Sequence, residues 1–292
     1  VALYILRHIK ASSRLVSLAL AALFLLSCAF VYANRAEQII DSRAYRDPVV
    51  YYRLSPYQKI VVTTYKDDTR LYLNNQLQFS SIDEHRYHET LAHATLSTLS
   101  SPKNVLILGG GDGLLAREVL RYPSVESIDI IDIDPAVTSL ASSLPLISNI
   151  NEQSMSSPKV HVHNEDAFTF VRESDKLYDA ILIDLVDPSN ERIAKLYSVE
   201  FYRSIPKILT RDGIFTTQAS STFFTPDAFS TIHSTIKHAL PAFQTKPIGI
   251  NVPSFGEWGF VLASRDSIDF SEAKLPKSLE YLTPQELTFS ET

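Results

Sequence analysis

Acidic side chains follow four apolar segments of the chain, each at the point where a β-strand would end. These acids are Asp112, Asp132, Asp134, Asp166, Asp184 and Asp187. A single aspartate in such a place is as often a helix cap or a turn former. Ligands of open parallel sheets bind outside the carboxyl ends of the strands, so acids at four successive ends predict one shared acidic pocket.

The spacing of two of these acids suits a nucleoside. Asp132 follows the glycine loop at Gly109 by about 20 residues, the usual distance for an acid that binds a ribose hydroxyl pair. Asp166, in NEDAF, lies where an adenine amino group could donate a hydrogen bond. NAD-dependent enzymes and methyltransferases share these features, so the pattern indicates a nucleoside site without giving its chemistry.

Asp112 narrows the choice of ligand for this nucleoside site. It lies inside the loop GGGDG, residues 109–113, and such loops often bind phosphate. A pyrophosphate beside this carboxylate would be repelled in a partly desolvated pocket, and so would the carboxylate of S-adenosylmethionine. A ligand whose tail ends in an ammonium group would be attracted. Decarboxylated S-adenosylmethionine, which carries a sulfonium, an adenosine and a propylamine arm, is such a ligand.

The segments around these acids predict an α/β fold. From residue 102 onward, the apolar strands NVLILG, SIDIIDID, VHVHN, DAILID and GIFTTQ alternate with helical segments such as 198–209 and 226–239. This alternation is typical of a mostly parallel sheet covered on both faces. PIGINV and WGFVLAS are close enough in sequence to form a hairpin at one edge of that sheet.

Residues 48–101 predict a smaller β-region followed by a helix. YQKIVVTTY, RLYLN and QLQFSS have the composition of three short strands, separated by a KDDT turn and an Asn74-Asn75 turn. Ser81 and Glu84 have the spacing of a capping box for a helix through HRYHETLAHATLSTL.

The N-terminal part contains a long uncharged segment, LVSLALAALFLLSCAFVYA. It nearly spans a bilayer core, and arginines flank it, which predicts a transmembrane helix over 15–34. An N-terminal segment (1–14) and a polar linker (35–47) would lie on either side. A cleaved signal peptide ending near VYANR and a buried soluble helix are the alternatives.

The flanking charges are nearly balanced and set no orientation. The chain starts with Val1, and VALYIL resembles the tail of an earlier apolar segment, so we expect an N-terminal truncation. Because the expected donor is a cytosolic metabolite, we expect an inner-membrane protein whose catalytic domain faces the cytoplasm.

Composition excludes several classes of protein. The formal net charge is −6 and no long basic run occurs, so nucleic acid is not expected as a partner. A single cysteine, Cys28, excludes an intramolecular disulfide framework and a cysteine-rich zinc site. His161 and His163 alternate on one strand, but no thiolate or carboxylate spacing supports a metal site, and none is expected.

Several motifs together resemble the spermidine synthase (polyamine aminopropyltransferase) family. Between residues 57 and 264 they are, in order, YQKIVV, LQFSSIDEHRYHE, VLILGGGDG, REVLRYPSVESIDIIDID, NEDAF, DAILIDLVDP, LYSVEFY and PSFGEWGF. DExxYHE, GGGDG and DxxDP are specific only in combination. LQFSS, KLYS and PSFGEWGF look most like the membrane-attached bacterial branch, in which several transmembrane helices usually precede the synthase domain.

The resemblance implies a Rossmann-like, class I methyltransferase-like catalytic domain over 102–292. It also implies transfer of an aminopropyl group from decarboxylated S-adenosylmethionine, a co-substrate, to a diamine such as putrescine, with no cofactor. The incoming amine is protonated at neutral pH, and by resemblance Asp184 is the base that removes a proton. Asp112 and Asp187 would hold ammonium groups, and Tyr87 and His88 would line the amine channel. The nucleoside-binding residues implied are Gln58, Gly109, Gly111, Gly113, Asp132, Asp166 and Ala167.

Structural roles stay open for two of these residues, core packing for Tyr87 and a structural hydrogen bond for His88. Trp258 and Phe255 are of types more often found in the core, so we do not assign them to the site. The chain departs from soluble members of the family at DPSNERIA, where they have a Gly-Pro loop, and at Ala167, where they have glycine. The acceptor amine is therefore open.

Two other functions remain possible at this point. One is a small-molecule methyltransferase that uses S-adenosylmethionine, and the other is a membrane-tethered polyamine-binding protein without catalysis. The partners expected are a polyamine and, through the N-terminal helix, the lipid bilayer. A homodimer stays open as the assembly.

Overall fold

The computed structural model describes residues 13–42 and 45–289. The strands are β1 (Val49–Leu54), β2 (Lys59–Tyr65), β3 (Asp68–Leu73), β4 (Gln76–Ser80), β5 (Asn104–Gly109), β6 (Ser127–Ile131), β7 (Val160–His163), β8 (Tyr178–Asp184), β9 (Leu209–Ser221), β10 (Gln244–Val252) and β11 (Gly256–Ser264). The helices are α1 (Ser13–Ser42), α2 (Glu84–Leu96), α3 (Leu114–Val119), α4 (Pro135–Ser143), α5 (Pro145–Ser148), α6 (Ala167–Glu173), α7 (Glu191–Ala194), α8 (Val199–Ile208), α9 (Pro226–Ala239) and α10 (Pro284–Phe289). Two 3₁₀ turns cover Ser154–Ser156 and Lys195–Tyr197.

The larger sheet has seven strands in the order β10-β11-β9-β8-β5-β6-β7. Five neighbouring strands of this sheet, β9, β8, β5, β6 and β7, pair in parallel. β10 and β11 form an antiparallel hairpin, and β10 lies at the sheet edge. The predicted mostly parallel sheet with an edge hairpin is confirmed, and the architecture is Rossmann-like.

Alternating side chains of β5 show how the sheet is covered. Val105 and Ile107 pack in one apolar cluster with α2, whereas Leu106 and Leu108 pack in a second cluster with α8. All four side chains are fully buried. The apolar run of β5 therefore contributes side chains to both faces of the sheet. This burial on both faces fixes the strand register, and the carboxyl ends of β5, β6 and β8 align at one edge.

The smaller sheet is a four-stranded antiparallel meander, β1-β2-β3-β4. Three of its strands match the prediction, and Asn74 and Asn75 both have positive φ, as a tight hairpin turn requires. The strand β1 was not predicted, and its side chains are half-buried or exposed without regular alternation. Ile60 and Phe79 pack this sheet against α4 of the larger domain.

The capping-box prediction for α2 is wrong. Asp83 is the N-cap residue and makes no side-chain cap bond, while Ser81 donates its hydroxyl to the backbone oxygen of Asp67 at 3.2 Å. Glu84 is fully buried, and its carboxylate binds Arg117 and His88 instead of the helix terminus. The glutamate that a capping box would use thus forms a buried ion pair.

The helix α1 is one 30-residue helix whose apolar side chains, Leu18, Phe24 and Leu26 among them, are exposed. It continues past residue 34 into the charged stretch RAEQIIDS, through most of the predicted linker 35–47. Most of the predicted N-terminal segment, 1–14, lies outside the described residues. The predicted transmembrane helix over 15–34 finds no support, since no helix within 13–42 and 45–289 combines the length and apolarity needed to cross a bilayer.

Candidate active site

One cavity of about 1130 Å³ opens at the carboxyl ends of β5, β6 and β8. Its other wall comes from the small sheet, with Leu71 on β3 and Gln76 and Gln78 on β4. Every site residue predicted from the sequence lines it except Gly113. The structure thus brings the acids of four strand ends and side chains of α2 into one site, as the parallel arrangement predicts.

The glycine loop is shaped by close contacts with the neighbouring strands. Gly109 has a φ of +85°, and a Cβ at this residue would lie 2.0 Å from the backbone oxygen of Asp184. The backbone N–H of Gly111 donates to a carboxylate oxygen of Asp132 at 3.2 Å. Gly113 lies outside the cavity, as the N-cap of α3 against Ser154 and Met155. The glycines therefore allow β5, β6 and β8 to approach, and Asp112 is the loop side chain left facing the cavity.

Asp184 and Tyr87 are joined by a short hydrogen bond in the site. The strand β8 ends at Asp184, and the Tyr87 hydroxyl of α2 donates to its Oδ1 at 2.6 Å. Enclosure among protein atoms raises the pKa of Asp184, although the charge of His88 and the Tyr87 hydrogen bond act in the opposite direction. A carboxylate with a raised pKa and one oxygen already oriented is suited to accept a proton on its other oxygen.

Asp187 lies in the loop after β8, held by groups from the end of β9. Its Oδ1 accepts the hydroxyl of Ser220 at 2.7 Å and the Nε2 of Gln218 at 3.3 Å. Gln218 also donates to the backbone oxygen of Leu185 at 2.6 Å and contacts the hydroxyl of Tyr197. Asp184, the last residue of β8, and Asp187 in the following loop are thus each oriented by a hydroxyl group.

Asp112 is a partly buried carboxylate in the same cavity. Its Oδ1 accepts the backbone N–H of Leu114 at 3.0 Å, at the start of α3. Enclosure raises its pKa to about 6, the charge of His88 opposes this, and the charge of Asp184 adds to it. A cationic ligand would relieve the repulsion between Asp112 and Asp184, which favours binding of an ammonium group here.

His88 is a cation built into the site. Its Nδ1 donates to Glu84 at 2.7 Å, and Glu84 is held in turn by Arg117 at 2.7 and 3.0 Å. Burial lowers the pKa of His88, but the hydrogen bond and charge of Glu84 outweigh it and raise the pKa to about 9. Burial likewise raises the pKa of Glu84, and its two partners lower it to about 2. Glu84, the first glutamate of the DExxYHE motif, therefore keeps His88 charged and does not itself face the cavity.

The predicted ribose acid, Asp132, directly follows β6 and accepts the backbone N–H of Asp134 at 2.8 Å. Enclosure raises its pKa to about 6. Gln58 also lines the cavity, but its amide donates to Asp134 at 3.1 Å. Asp134 is fully buried, accepts the hydroxyl of Ser55 at 2.6 Å and caps α4. Asp134 therefore joins the small sheet to the large one and leaves Asp132 for a ligand.

The predicted adenine acid, Asp166, caps α6 and forms an ion pair with Lys195 at 2.6 Å. Enclosure raises the pKa of Asp166, but the hydrogen bond and charge of Lys195, together with backbone N–H groups of α6, outweigh this and lower the pKa. Ala167 is buried and lines the cavity beside it. Lys195 directly follows the segment DPSNERIA and places a cation beside Asp166 in the cavity wall.

Sequence reasoning missed several residues of the cavity wall. Phe255 and Trp258, which we had not assigned to the site, line it, with their rings 6.0 and 6.5 Å from that of Tyr87. Gln218 lies at the carboxyl end of β9, and the strand-end rule, applied to GIFTTQ, would have found it. Among the described residues, no group of three or more His, Cys, Asp or Glu side chains is placed to hold a metal ion.

Comparison with known proteins agrees with this geometry. Residues 84–272 match the family model of the spermine/spermidine synthase domain. The chain is 45% identical to a polyamine aminopropyltransferase of Oceanobacillus iheyensis, over 83% of this chain and 47% of that protein. It is 42% identical to one from Leptospira interrogans, over 92% of this chain and 54% of that protein. The chain thus spans about half the length of the curated relatives it matches.

Solved structures show the same likeness. A spermidine synthase in complex with the transition-state analogue AdoDATO aligns with a TM-score of 0.76 and 28% identity, over 83% of this chain and 84% of that one. The spermidine synthase of Thermotoga maritima aligns with a TM-score of 0.76 and 27% identity, over 84% of each chain. Since the family model covers more than half of the sequence, this chain belongs to the spermine/spermidine synthase family.

Proposed function

We propose that the protein is a polyamine aminopropyltransferase that moves the aminopropyl group of decarboxylated S-adenosylmethionine to a diamine. The observation that carries this proposal is the grouping of Asp112, Asp184 and Asp187 in one cavity that Asp132 also lines. Three carboxylates suit a substrate pair that brings several ammonium groups and a sulfonium. A phosphate-bearing cofactor would be repelled by the same groups.

The reaction is a displacement at carbon. The amine nitrogen forms a bond to the methylene next to the sulfonium, and the carbon–sulfur bond breaks. Its electron pair goes to sulfur, so 5′-methylthioadenosine leaves as a neutral thioether that needs no acid. The nitrogen loses one proton, and Asp184 accepts it on the oxygen that Tyr87 does not occupy.

The remaining residues hold the two substrates. Asp112 would bind the ammonium group of the donor, and Asp187 the distal ammonium of the acceptor, with Tyr87, Phe255 and Trp258 against the methylenes. Asp132 and Asp166 would bind the ribose and the adenine. In this role Asp166 shares its carboxylate between the adenine amino group and Lys195.

Putrescine, which would give spermidine, is the acceptor we propose. The names of the relatives, polyamine aminopropyltransferase and spermidine synthase, support this choice. No cofactor is proposed besides the co-substrate. A location at the inner membrane with the domain facing the cytoplasm, and a homodimeric assembly, stay predictions.

Release of methylthioadenosine tests the proposed function. The protein is incubated with the decarboxylated donor and, separately, putrescine, cadaverine, spermidine and agmatine. We expect release that depends on the amine and is fastest with putrescine. Release with none of the four would refute the activity and favour a polyamine-binding protein.

Calorimetric titration separates this activity from methyl transfer. The decarboxylated donor should bind more tightly than S-adenosylmethionine, because the carboxylate of the latter would lie near Asp112. Tighter binding of intact S-adenosylmethionine would instead support the methyltransferase alternative.

A further inference from the structure

Ser220 has an unusual backbone conformation at the edge of the site. It lies near the end of β9 with a φ of +66°, in the left-handed region that side-chain-bearing residues rarely adopt. It is also 2% exposed, so the conformation is not that of a loose surface turn. Such strained residues concentrate at functional sites, where the surrounding structure holds them in place.

The strain coincides with a bulge between β9 and β11. Gln218 pairs with Phe260 and Ser221 with Trp258, so two residues of β9, Ala219 and Ser220, lie opposite Gly259 alone. Bulges next to active sites redirect a side chain that a regular strand would point elsewhere. Here the side chain that the bulge redirects is that of Ser220.

The hydroxyl of Ser220 reaches the carboxylate of Asp187. It donates to Oδ1 at 2.7 Å, while the backbone N–H of Ser220 donates to the side-chain oxygen of Gln218 at 2.9 Å. Gln218 donates to the same Oδ1 at 3.3 Å. Within the described residues no protein donor reaches Oδ2 of Asp187, so the second oxygen is left for a ligand.

This arrangement repeats the one at Asp184, where the Tyr87 hydroxyl binds Oδ1 and leaves Oδ2. We propose that Ser220 is a positioning residue that fixes the Asp187 carboxylate to receive the distal ammonium group of a diamine acceptor. The inference rests on the proposed function, because it assumes a diamine in this cavity. Ser220 acts through Asp187 and, on this account, has no role at the donor end.

The test uses two substitutions that separate the hydroxyl from the backbone strain. Ser220→Ala removes the hydroxyl and keeps a Cβ in the left-handed conformation, whereas Ser220→Gly removes the hydroxyl and relieves the strain. Putrescine is titrated calorimetrically into the full chain saturated with methylthioadenosine. The decarboxylated donor is titrated separately, and kcat/KM for putrescine is measured at saturating donor.

Both variants should bind putrescine about tenfold more weakly and lose kcat/KM by a similar factor, as expected for one hydrogen bond to a charged group. The dissociation constant of the donor should stay within about twofold of the unaltered protein, a split between substrates that a purely structural role would not produce. Because glycine adopts positive φ without strain, Ser220→Gly keeps the test available if the alanine variant unfolds.

Unchanged putrescine binding in Ser220→Gly would overturn the proposal, and so would an equal loss for putrescine and the donor. If the unaltered protein binds putrescine but releases no methylthioadenosine, the proposed activity fails while the binding comparison still decides the role of Ser220. If the unaltered protein binds no diamine, both proposals fail.

Discussion

Replacing Asp112 by asparagine removes one charge from the cavity and changes little else. The side chain keeps its size, and its remaining carbonyl oxygen can still accept the N–H of Leu114, which Asp112 binds at 3.0 Å. The glycine loop and the start of α3 should therefore keep their conformation. What is lost is the attraction between the carboxylate and the ammonium group of the donor.

The size of the loss follows from the surroundings of Asp112. A hydrogen bond between charged groups in a partly buried site contributes about 1.5–3 kcal/mol, which corresponds to about 10- to 150-fold in the dissociation constant. Methylthioadenosine has the same nucleoside but no amine. Its dissociation constant should change by less than about twofold.

The pH dependence gives the same prediction a second readout. Enclosure raises the pKa of Asp112 to about 6, so the carboxyl is charged above that pH and neutral below it. The attraction for the donor is therefore present at pH 8 and lost as the pH falls through 6. At pH 5 about a tenth of the carboxyl is ionised, so the donor should bind about tenfold more weakly than at pH 8.

The pKa of Asp132 is also raised to about 6, so methylthioadenosine is needed as a reference for that acid. Calorimetric titrations of donor and methylthioadenosine at both pH values give the ratio of their dissociation constants. For the unaltered protein this ratio should change about tenfold between pH 5 and 8, and for Asp112→Asn it should stay constant. Equal weakening of both ligands by the substitution, or a ratio independent of pH in the unaltered protein, would refute the reasoning.

Three further substitutions test other parts of the account. Asp184→Asn should lower kcat by about 10²- to 10⁴-fold through loss of the base, with methylthioadenosine binding unchanged by calorimetry. Arg117→Met breaks a fully buried ion pair and should lower the free energy of unfolding in urea by about 3 kcal/mol. Glu89→Gln should speed amide hydrogen exchange at residues 280–282 by about tenfold or more, because three backbone N–H groups there donate to the Glu89 carboxylate at 2.7–2.9 Å.

A specific result would contradict each of these three predictions. Retention of most turnover in Asp184→Asn would remove Asp184 from its role as the base. The matched control for Arg117 is Lys103→Ala, which breaks the exposed pair with Glu126 and should leave the urea midpoint unchanged. Equal effects of these two substitutions would contradict the assigned importance of burial. Unchanged exchange at 280–282 in Glu89→Gln would show that the C-terminal segment is held by other contacts.

The acids of the site were predictable because strand ends are predictable. Apolar runs such as NVLILG and DAILID are long enough to mark buried parallel strands, and Asp112 and Asp184 follow from where those runs stop. The pairing of Gly109 with Asp184 in the sheet then brings the two acids together. The same reasoning did not separate Asp132, which faces the cavity, from Asp134, which is buried between the two sheets.

Other features depend on contacts between distant parts of the chain. Glu84 has the spacing of a helix cap, and only the approach of Arg117, 33 positions away, shows that it is buried. Ser220 gives no signal in the sequence, since its conformation results from a bulge that its partner strand imposes. Trp258 and Phe255 are aromatic, as many core residues are, so their residue types do not distinguish the core from the cavity wall. Only the tertiary structure places them in the cavity wall.

The central claim is that the chain transfers an aminopropyl group and not a methyl group. The most direct test is the mass of the amine product after incubation with decarboxylated S-adenosylmethionine and putrescine. The account predicts putrescine that has gained one aminopropyl group, formed in an amount equal to the methylthioadenosine released. A methylated amine, or methylthioadenosine without an aminopropylated amine, would contradict it.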